Sequence, residues 1–458
     1  MKWRTRLGRY LKRRKKEYPM AKLYTFGKSG VLPEERKELT EDKKIERFEA
    51  KDLIFLSINQ HIGAPAKSLV KEGERVLKNQ IVASGEGGVT SIVHSPVSGE
   101  VVQIKSMVFP GEIKNDVIVI KNDFKNEKVL GTEEKREFKK DKEKFINEIK
   151  NGGIIGMGGA GFPTYVKMTP PKDKKIDLFI VNAAECEPYL TNDYRVMLEF
   201  GDEFLSGISL ILDNLDIPKA IVGIEENKEH AFEKLQKSNS DKRIEFKLLK
   251  TKYPQGAEKQ LIYALTKRVV PIRKLPFEVG VIVQNVSTVK AIYDLITFNK
   301  PLTERVLTCS GKGINEPKNI LAPIGVTVSQ IAEFCGGIKD NCRYLINGGP
   351  MMGKPFSDIN LPITKTTSGL LFLTDEEVNI EEENPCIRCG RCLSVCPMGL
   401  NPTYLKEASD RREYEKMDDV LDCIECGSCS FICPASRDLA SSIVKGKQKY
   451  SKYLKRGK

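Results

Sequence analysis

Residues 386–397 read CIRCGRCLSVCP, and residues 423–434 read CIECGSCSFICP. Each is a complete C-x2-C-x2-C-x3-C-P quartet. Three thiolates on one tight loop can wrap three corners of an iron–sulfur cubane, and a fourth closes it from elsewhere. In two-cluster ferredoxins the fourth cysteine serves the other cluster. Cys386, Cys389, Cys392 and Cys433 are therefore assigned to one 4Fe-4S cluster, and Cys423, Cys426, Cys429 and Cys396 to the second. The competing reading is a pair of zinc sites, but zinc prefers two C-x2-C pairs with a longer spacer. A helix-like run at 403–415 separates the quartets. Residues 379–445 thus read as a helical two-cluster ferredoxin-like domain.

The other four cysteines, Cys186, Cys309, Cys335 and Cys342, show no ligand spacing. Cys186 stands between two acids and reads as an inert buried thiol or a site thiol. Twelve cysteines without an export signal point to metal ligation in a reducing compartment. His61, His94 and His230 are isolated and are assigned to no metal.

Upstream of the quartets, 458 residues call for several cores. Residues 45–125 alternate short apolar runs with Gly/Pro turns. They resemble a biotinyl/lipoyl-type barrel, with no lysine at the hairpin near 87–91 to modify. Residues 126–144 are charged and read as a linker. Within 126–299, strand-like runs at 178–182, 220–224 and 279–284 alternate with helical patterns at 198–215, 226–237 and 288–296, which predicts a mainly parallel sheet. Residues 300–350 return to short strands around a helix at 328–334. Residues 351–378 read as a β connector, and 446–458 as a basic tail. The fold class expected is multidomain α+β.

The formal charge of +13 is carried by the ends: residues 1–28 hold +10 and 445–458 hold +7, leaving −4 for 29–444. An acidic body argues against a nucleic-acid groove. Basic ends suit an anionic surface, and Trp3, Leu7, Tyr10 and Leu11 share one helical face, as a basic amphipathic helix on a membrane would. A solvated tail, or a start at Met20, accounts for the same residues. No run of apolar residues is long enough to span a membrane.

Gly156-Met157-Gly158-Gly159-Ala160-Gly161 satisfies G-x-G-x-x-G, but no strand is evident before it. Side-chain-free positions let backbone N–H groups approach a phosphate or a flat ring, or simply make a tight turn. The run on to Phe162-Pro163-Thr164, and then Asn182-Ala183-Ala184-Glu185-Cys186-Glu187-Pro188, resembles the flavin- and NADH-binding subunit of respiratory complex I. Tyr253-Pro254-Gln255-Gly256-Ala257-Glu258 and Gln284-Asn285-Val286-Ser287-Thr288 fit the same family, and 306–346 resembles its soluble-ligand-binding β-grasp (SLBB) module. A preceding barrel and following quartets are joined to this module in the C subunit of the Rnf electron-transport complex. The resemblance covers about residues 22–445 and includes Gly348-Gly349-Pro350-Met351-Met352-Gly353. It departs at Gly27–Pro33, which lack the family's usual histidine, and at residues 1–19.

The resemblance implies FMN near Gly156, Gly158, Gly159, Gly161, Lys167, Asn182, Glu185, Gly256 and Asn285. It implies Phe162 stacked on nicotinamide or adenine and Glu187 near the nicotinamide or its ribose, with Glu185 and Glu187 as the catalytic acids. It further implies an NADH/ferredoxin oxidoreductase subunit on the cytoplasmic face of a bacterial membrane. There it would exchange electrons between NAD(H), FMN and two 4Fe-4S clusters. Its partners would be the other Rnf subunits, with ferredoxin reached through them, in a complex that translocates Na+ or H+. Two rivals remain: a microcompartment cobalamin-reductase-like flavoprotein, and a non-catalytic electron relay.

Overall fold

The computed structural model describes residues 22–111, 113–378 and 381–455. The expected N-terminal amphipathic helix lies outside them. At the centre is a parallel sheet of Ile244–Leu249, Ala220–Glu225, Leu178–Ala183 and Val281–Asn285, in that spatial order. Its strands are apolar throughout because both faces are covered. Phe179, Val181 and Ala183 share a core with Phe204 and Ile208 of helix Gly201–Leu215. Leu178 and Ile180 share another with Leu261 and Leu265 of helix Glu258–Thr266.

The order matters for function. From Leu178–Ala183 the chain builds outward in one direction, then returns to place Val281–Asn285 on the other side. Such a reversal opens a crevice at the carboxyl ends of the two strands. Asn182 and Asn285, paired in register, stand there.

The glycine loop reaches this crevice without a preceding strand. Helix Lys142–Asn151, capped by Asp141, leads into Gly152 and Gly153. An isolated bridge between Ile155 and Pro163 closes the loop, and Gly156 N donates to Phe162 O at 2.8 Å. Met157 N donates to Thr288 Oγ1 at 3.0 Å, pinning the loop to helix Val286–Phe298.

The barrel consists of Leu53–Ser57, Ile113–Asn122, Gly99–Phe109 and Arg75–Val76 in one sheet, and Lys67–Ser68, Ile81–Ser84 and Val93–His94 in another. Its lysine-free hairpin is anchored. Tyr165 Oη donates to Gly88 O at 3.3 Å, and the buried Lys365 ammonium joins Ile92 O to Gly153 O at 2.6 and 2.7 Å.

Three stretches differ from expectation. Residues 351–378 are no connector. Lys354–Phe356 and the fully buried Gly369–Leu373 belong to a six-stranded sheet with Ile45–Arg47, Lys318–Pro323, Glu304–Ser310 and Tyr344–Asn347. Glu304–Ser310 is almost wholly buried and needs a partner on each edge, which Lys318–Pro323 and Gly369–Leu373 supply. The stretch 126–144 is no loose linker. The Arg136 guanidinium donates to Leu295 O and Ile296 O near the end of a helix and pairs with Glu148. Nor are residues 446–455 of the expected basic tail at 446–458 simply a tail, because helix Leu439–Lys455 covers them. Leu439, Ile443, Gly446 and Tyr450 form its buried stripe against Leu405, Met417 and Val420. Among the described residues no helix is long and apolar enough to cross a membrane.

Candidate functional site

Around the crevice, Asn285 uses both ends of its amide. Its oxygen caps helix Val286–Phe298, accepting from Ser287 N at 2.9 Å and Thr288 N at 3.4 Å. Its nitrogen donates to Asp193 Oδ2 at 2.5 Å, and Asp193 Oδ1 accepts from Ser287 Oγ at 2.6 Å. Gly158 packs so closely on Asn285 that a Cβ would stand 2.6 Å from its amide nitrogen. The N–H groups of Gly158, Gly159, Ala160 and Gly161 have no partner among the described residues. Free N–H groups beside the start of a thirteen-residue helix form an anion-binding corner. Lys167 adds a cation nearby on the short helix Thr164–Lys167, pairing with Glu258 at 2.7 Å and reaching Val283 O at 3.4 Å. Across the crevice Asn182 Nδ2 donates to Gly256 O at 2.7 Å. Phe162 is half-buried, and its carbonyl closes the glycine loop. These donors suit a phosphate, and the side-chain-free loop suits a flat ring.

The two acids differ. Glu185 is fully engaged at a left-handed backbone position (φ 45°). Its oxygens accept from Asp193 N at 2.5 Å and Tyr194 N at 3.3 Å, in the first turn of helix Asn192–Glu199. Burial pushes its carboxyl up to about 7, against the opposing pull of Lys37 and Lys228. Glu187 Oε2 accepts from Met351 N at 3.0 Å, but its Oε1 is buried without a partner. Burial pushes this carboxyl up to about 7 as well.

Lys37 carries no motif, yet it lies at the heart of this arrangement. Its buried ammonium donates to the carbonyls of Glu185 at 3.1 Å, Glu187 at 2.9 Å and Leu190. Lys228 Nζ donates to Ala184 O at 2.8 Å. The N-terminal segment that carries Lys37 therefore clamps the acidic loop, a contact that only distant packing creates. Asp193 is likewise unmarked in the sequence, five residues past the end of the resembling block at Pro188.

In the C-terminal domain, Cys396, Cys423, Cys426 and Cys429 line one cavity with Pro397, Leu400 and Ile443. Burial raises the thiols of Cys423 and Cys426 and pushes Cys429 up to about 12. Thiolates there need a cationic partner, which bound iron supplies. Among the described residues no three His, Cys, Asp or Glu side chains converge on one ion-sized point. Cys386, Cys392 and Cys433 are half-buried, and Cys389 is exposed. Cys309 and Cys335 are core residues in contact with each other. Burial raises the Cys186 thiol strongly, as for an inert thiol; its sulfur accepts from Gly256 N at 3.3 Å.

The cysteine-rich domain is docked on the flavin-type module through the second loop and through Val395 and Pro397 at the end of the first quartet. Cys426 and Val395 share an apolar core with Tyr253 and Val31, against which Cys186 and Met351 pack. A Cβ on Gly427 would stand 2.9 Å from Met351 O, and Met351 N is the donor to Glu187. Gln260 Nε2 adds a bond to Pro397 O at 3.1 Å.

A phosphate-and-ring crevice joined to two cysteine quartets defines a flavo-iron–sulfur electron-transfer protein. Family models agree domain by domain: RnfC barrel sandwich hybrid at 25–125, Nuo51 FMN-binding domain at 149–294, SLBB at 306–355 and 4Fe-4S dicluster at 378–434. The chain is 45% identical over 390 residues to the C subunit of a proton-translocating ferredoxin:NAD(+) oxidoreductase complex from Clostridium ljungdahlii, covering 85% of each chain. It is 39% identical over 438 residues to the Na(+)-translocating counterpart from Acetobacterium woodii, covering 94% of this chain and 98% of the relative. The chain belongs to the RnfC family, the C subunits of the Rnf ion-translocating oxidoreductase complexes. It also aligns with the NAD+-reducing [NiFe]-hydrogenase at TM-score 0.47 and 16% identity, over 69% of this chain and 62% of that one, a likeness too distant to argue from.

Proposed function

We propose that this chain is the peripheral electron-input subunit of an Rnf complex, exchanging electrons between NAD(H), FMN and two 4Fe-4S clusters. The observation that carries this reading is the continuous contact from Glu187, in the acidic loop that follows strand Leu178–Ala183, through Met351 to Gly427 in the docked cysteine loop. Bound FMN supplies the conversion between two-electron hydride chemistry and single electrons.

The chain's own residues hold the ligands and shut out competing contacts. The N–H groups of Gly158, Gly159 and Gly161 and the Lys167 ammonium hold the phosphate, with Gly156 closing the loop. Asn182, Gly256 and Asn285 shape the crevice wall. Glu187 offers its unpaired Oε1 to a donor on the nicotinamide or its ribose, and Phe162 flanks the loop mouth. Glu185 is a positioning residue that orients the helix carrying Asp193. Cys386, Cys389, Cys392 and Cys433 hold one cluster; Cys423, Cys426, Cys429 and Cys396 hold the other.

The same reading places the chain on the cytoplasmic face of the membrane, among the other Rnf subunits, with ferredoxin served through them. The two relatives named above belong to complexes named for different ions, H+ and Na+, so either ion fits the family. The barrel at 25–125 and the 94% coverage favour this family over the microcompartment reductase.

Anaerobically purified, FMN-loaded protein tests the reading. NADH should bleach the flavin and then generate the EPR signals of reduced clusters. Zinc without acid-labile sulfide would end it, and reducible clusters beside an NADH-inert flavin would leave only a relay.

A further inference from the structure

The two cysteine loops repeat each other residue by residue. Ile387-Arg388-Cys389-Gly390-Arg391 corresponds to Ile424-Glu425-Cys426-Gly427-Ser428. Arg388 and Glu425 are left-handed at φ 57° and 61°, and Gly390 and Gly427 both have φ 74°. Their surroundings are opposite. A Cβ on Gly427 would strike Met351, whereas one on Gly390 would meet nothing within 4 Å. Cys426 is buried and Cys389 exposed.

The open loop is also the one with an unpaired surface. Ile387 is 67% exposed, Leu393 44% and Phe431 49%, the last on helix Ser428–Phe431, which packs against helix Arg391–Val395. Arg388 and Arg391 are exposed and form no ion pair among the described residues. Of the carboxylates leading into the loop, Glu381 is engaged with Ser436 and Glu383 with Arg437 and Lys406, while Glu382 is exposed.

We propose that Ile387, Arg388, Arg391, Leu393 and Phe431 form the docking face for an acidic one-electron redox protein. Electron transfer decays exponentially with distance, so a partner must approach where ligating thiols reach the surface, and among the described residues Cys389 of the first loop is the one exposed thiol of the two quartets. Its chemistry is given by the face: apolar contacts at the centre and two unpaired guanidiniums that call for carboxylates. The inference rests on the electron-input reading above and adds to it the order of the two clusters, the second inward and the first outward.

The test uses the full chain with cofactors loaded and, as probe, the membrane subunits of the complex purified without this chain. Arg388→Glu with Arg391→Ser converts the first loop into the second loop's own residues, so the substituted backbone has an internal precedent. The association rate with the probe should fall at least about tenfold. Lys449→Glu with Lys452→Ser, an equal charge change on the exposed face of the last helix, should leave it within about twofold. Wild-type association should weaken as ionic strength rises. NADH-dependent flavin bleaching and cluster EPR report separately on the electron-input reading, and both should persist in the loop variant. Equal losses in the two variants, or wild-type association indifferent to salt, would overturn the docking face.

Discussion

The two cysteine loops are near copies in sequence and backbone, yet one is clamped against a neighbouring domain and the other faces solvent. Local chemistry accounts for the likeness: three thiols spaced by two residues, with a left-handed residue and a left-handed glycine between them. The difference comes from Met351, far away in the chain, which closes on Gly427 of the second loop, whereas Tyr253 and Val31 reach the first quartet only past its loop, at Val395. A duplicated ligand motif therefore does not yield duplicated roles, because position in the fold assigns one loop inward and one outward.

The strongest challenge to this comparison is to cross the two quartets. Cys396 belongs to the first quartet by sequence and to the second loop's cavity by structure. Cys396→Ser should remove the inward cluster, lowering iron and sulfide by about half and abolishing one EPR signal. Cys423→Ser combined with it should remove nothing further from the cluster count, whereas Cys386→Ser should remove the outward cluster.

Glu187 separates docking from ligand binding. Glu187→Gln retains an acceptor for Met351 N but changes the free Oε1 site, so KM for NADH should rise about tenfold with thermal stability nearly unchanged. Glu187→Ala also removes the acceptor and should lower stability by about 1–3 kcal/mol in denaturant unfolding.

The glycines offer the most direct contrast. Gly427→Ala must adopt a left-handed backbone and push into Met351 O, for a loss of about 2–3 kcal/mol. Gly390→Ala meets only the backbone term, about 1 kcal/mol. Equal losses would mean that the second loop is not clamped as described.

The smallest effect is in pH. Burial raises Glu187 from 4.5 to about 7, so the folded state holds its proton more tightly than the unfolded state does. Its contribution is complete below about 4.5 and is lost as pH rises through about 7. The cofactor-free protein should lose a few degrees of Tm between these values, and Glu187→Gln should lessen that slope while leaving the share of Glu185, which burial raises to about 7 as well.

Much of the fold is legible where structure follows from neighbours in the chain. The alternation of apolar runs and helical periods predicts the parallel sheet, and the helix expected at 328–334 appears as Val328–Phe334. Strand Ile244–Leu249 and helix Glu258–Thr266 are not marked by that alternation, and Tyr253–Glu258 stands out only for its resemblance. The partners of Gly369–Leu373 and the buried stripe of Leu439–Lys455 are equally hidden, because each is decided by contacts remote in sequence.

At the site, sequence alone marked the two cysteine quartets and the glycine loop, since cubane geometry and close backbone approach are demands on consecutive residues. Tertiary structure alone decided that Lys37 clamps the acidic loop, that Glu185 is spent on a helix end while Glu187 keeps a free oxygen, and which cysteine loop faces inward. These depend on desolvation and on long-range contacts, which are properties of the packed chain rather than of any local spacing.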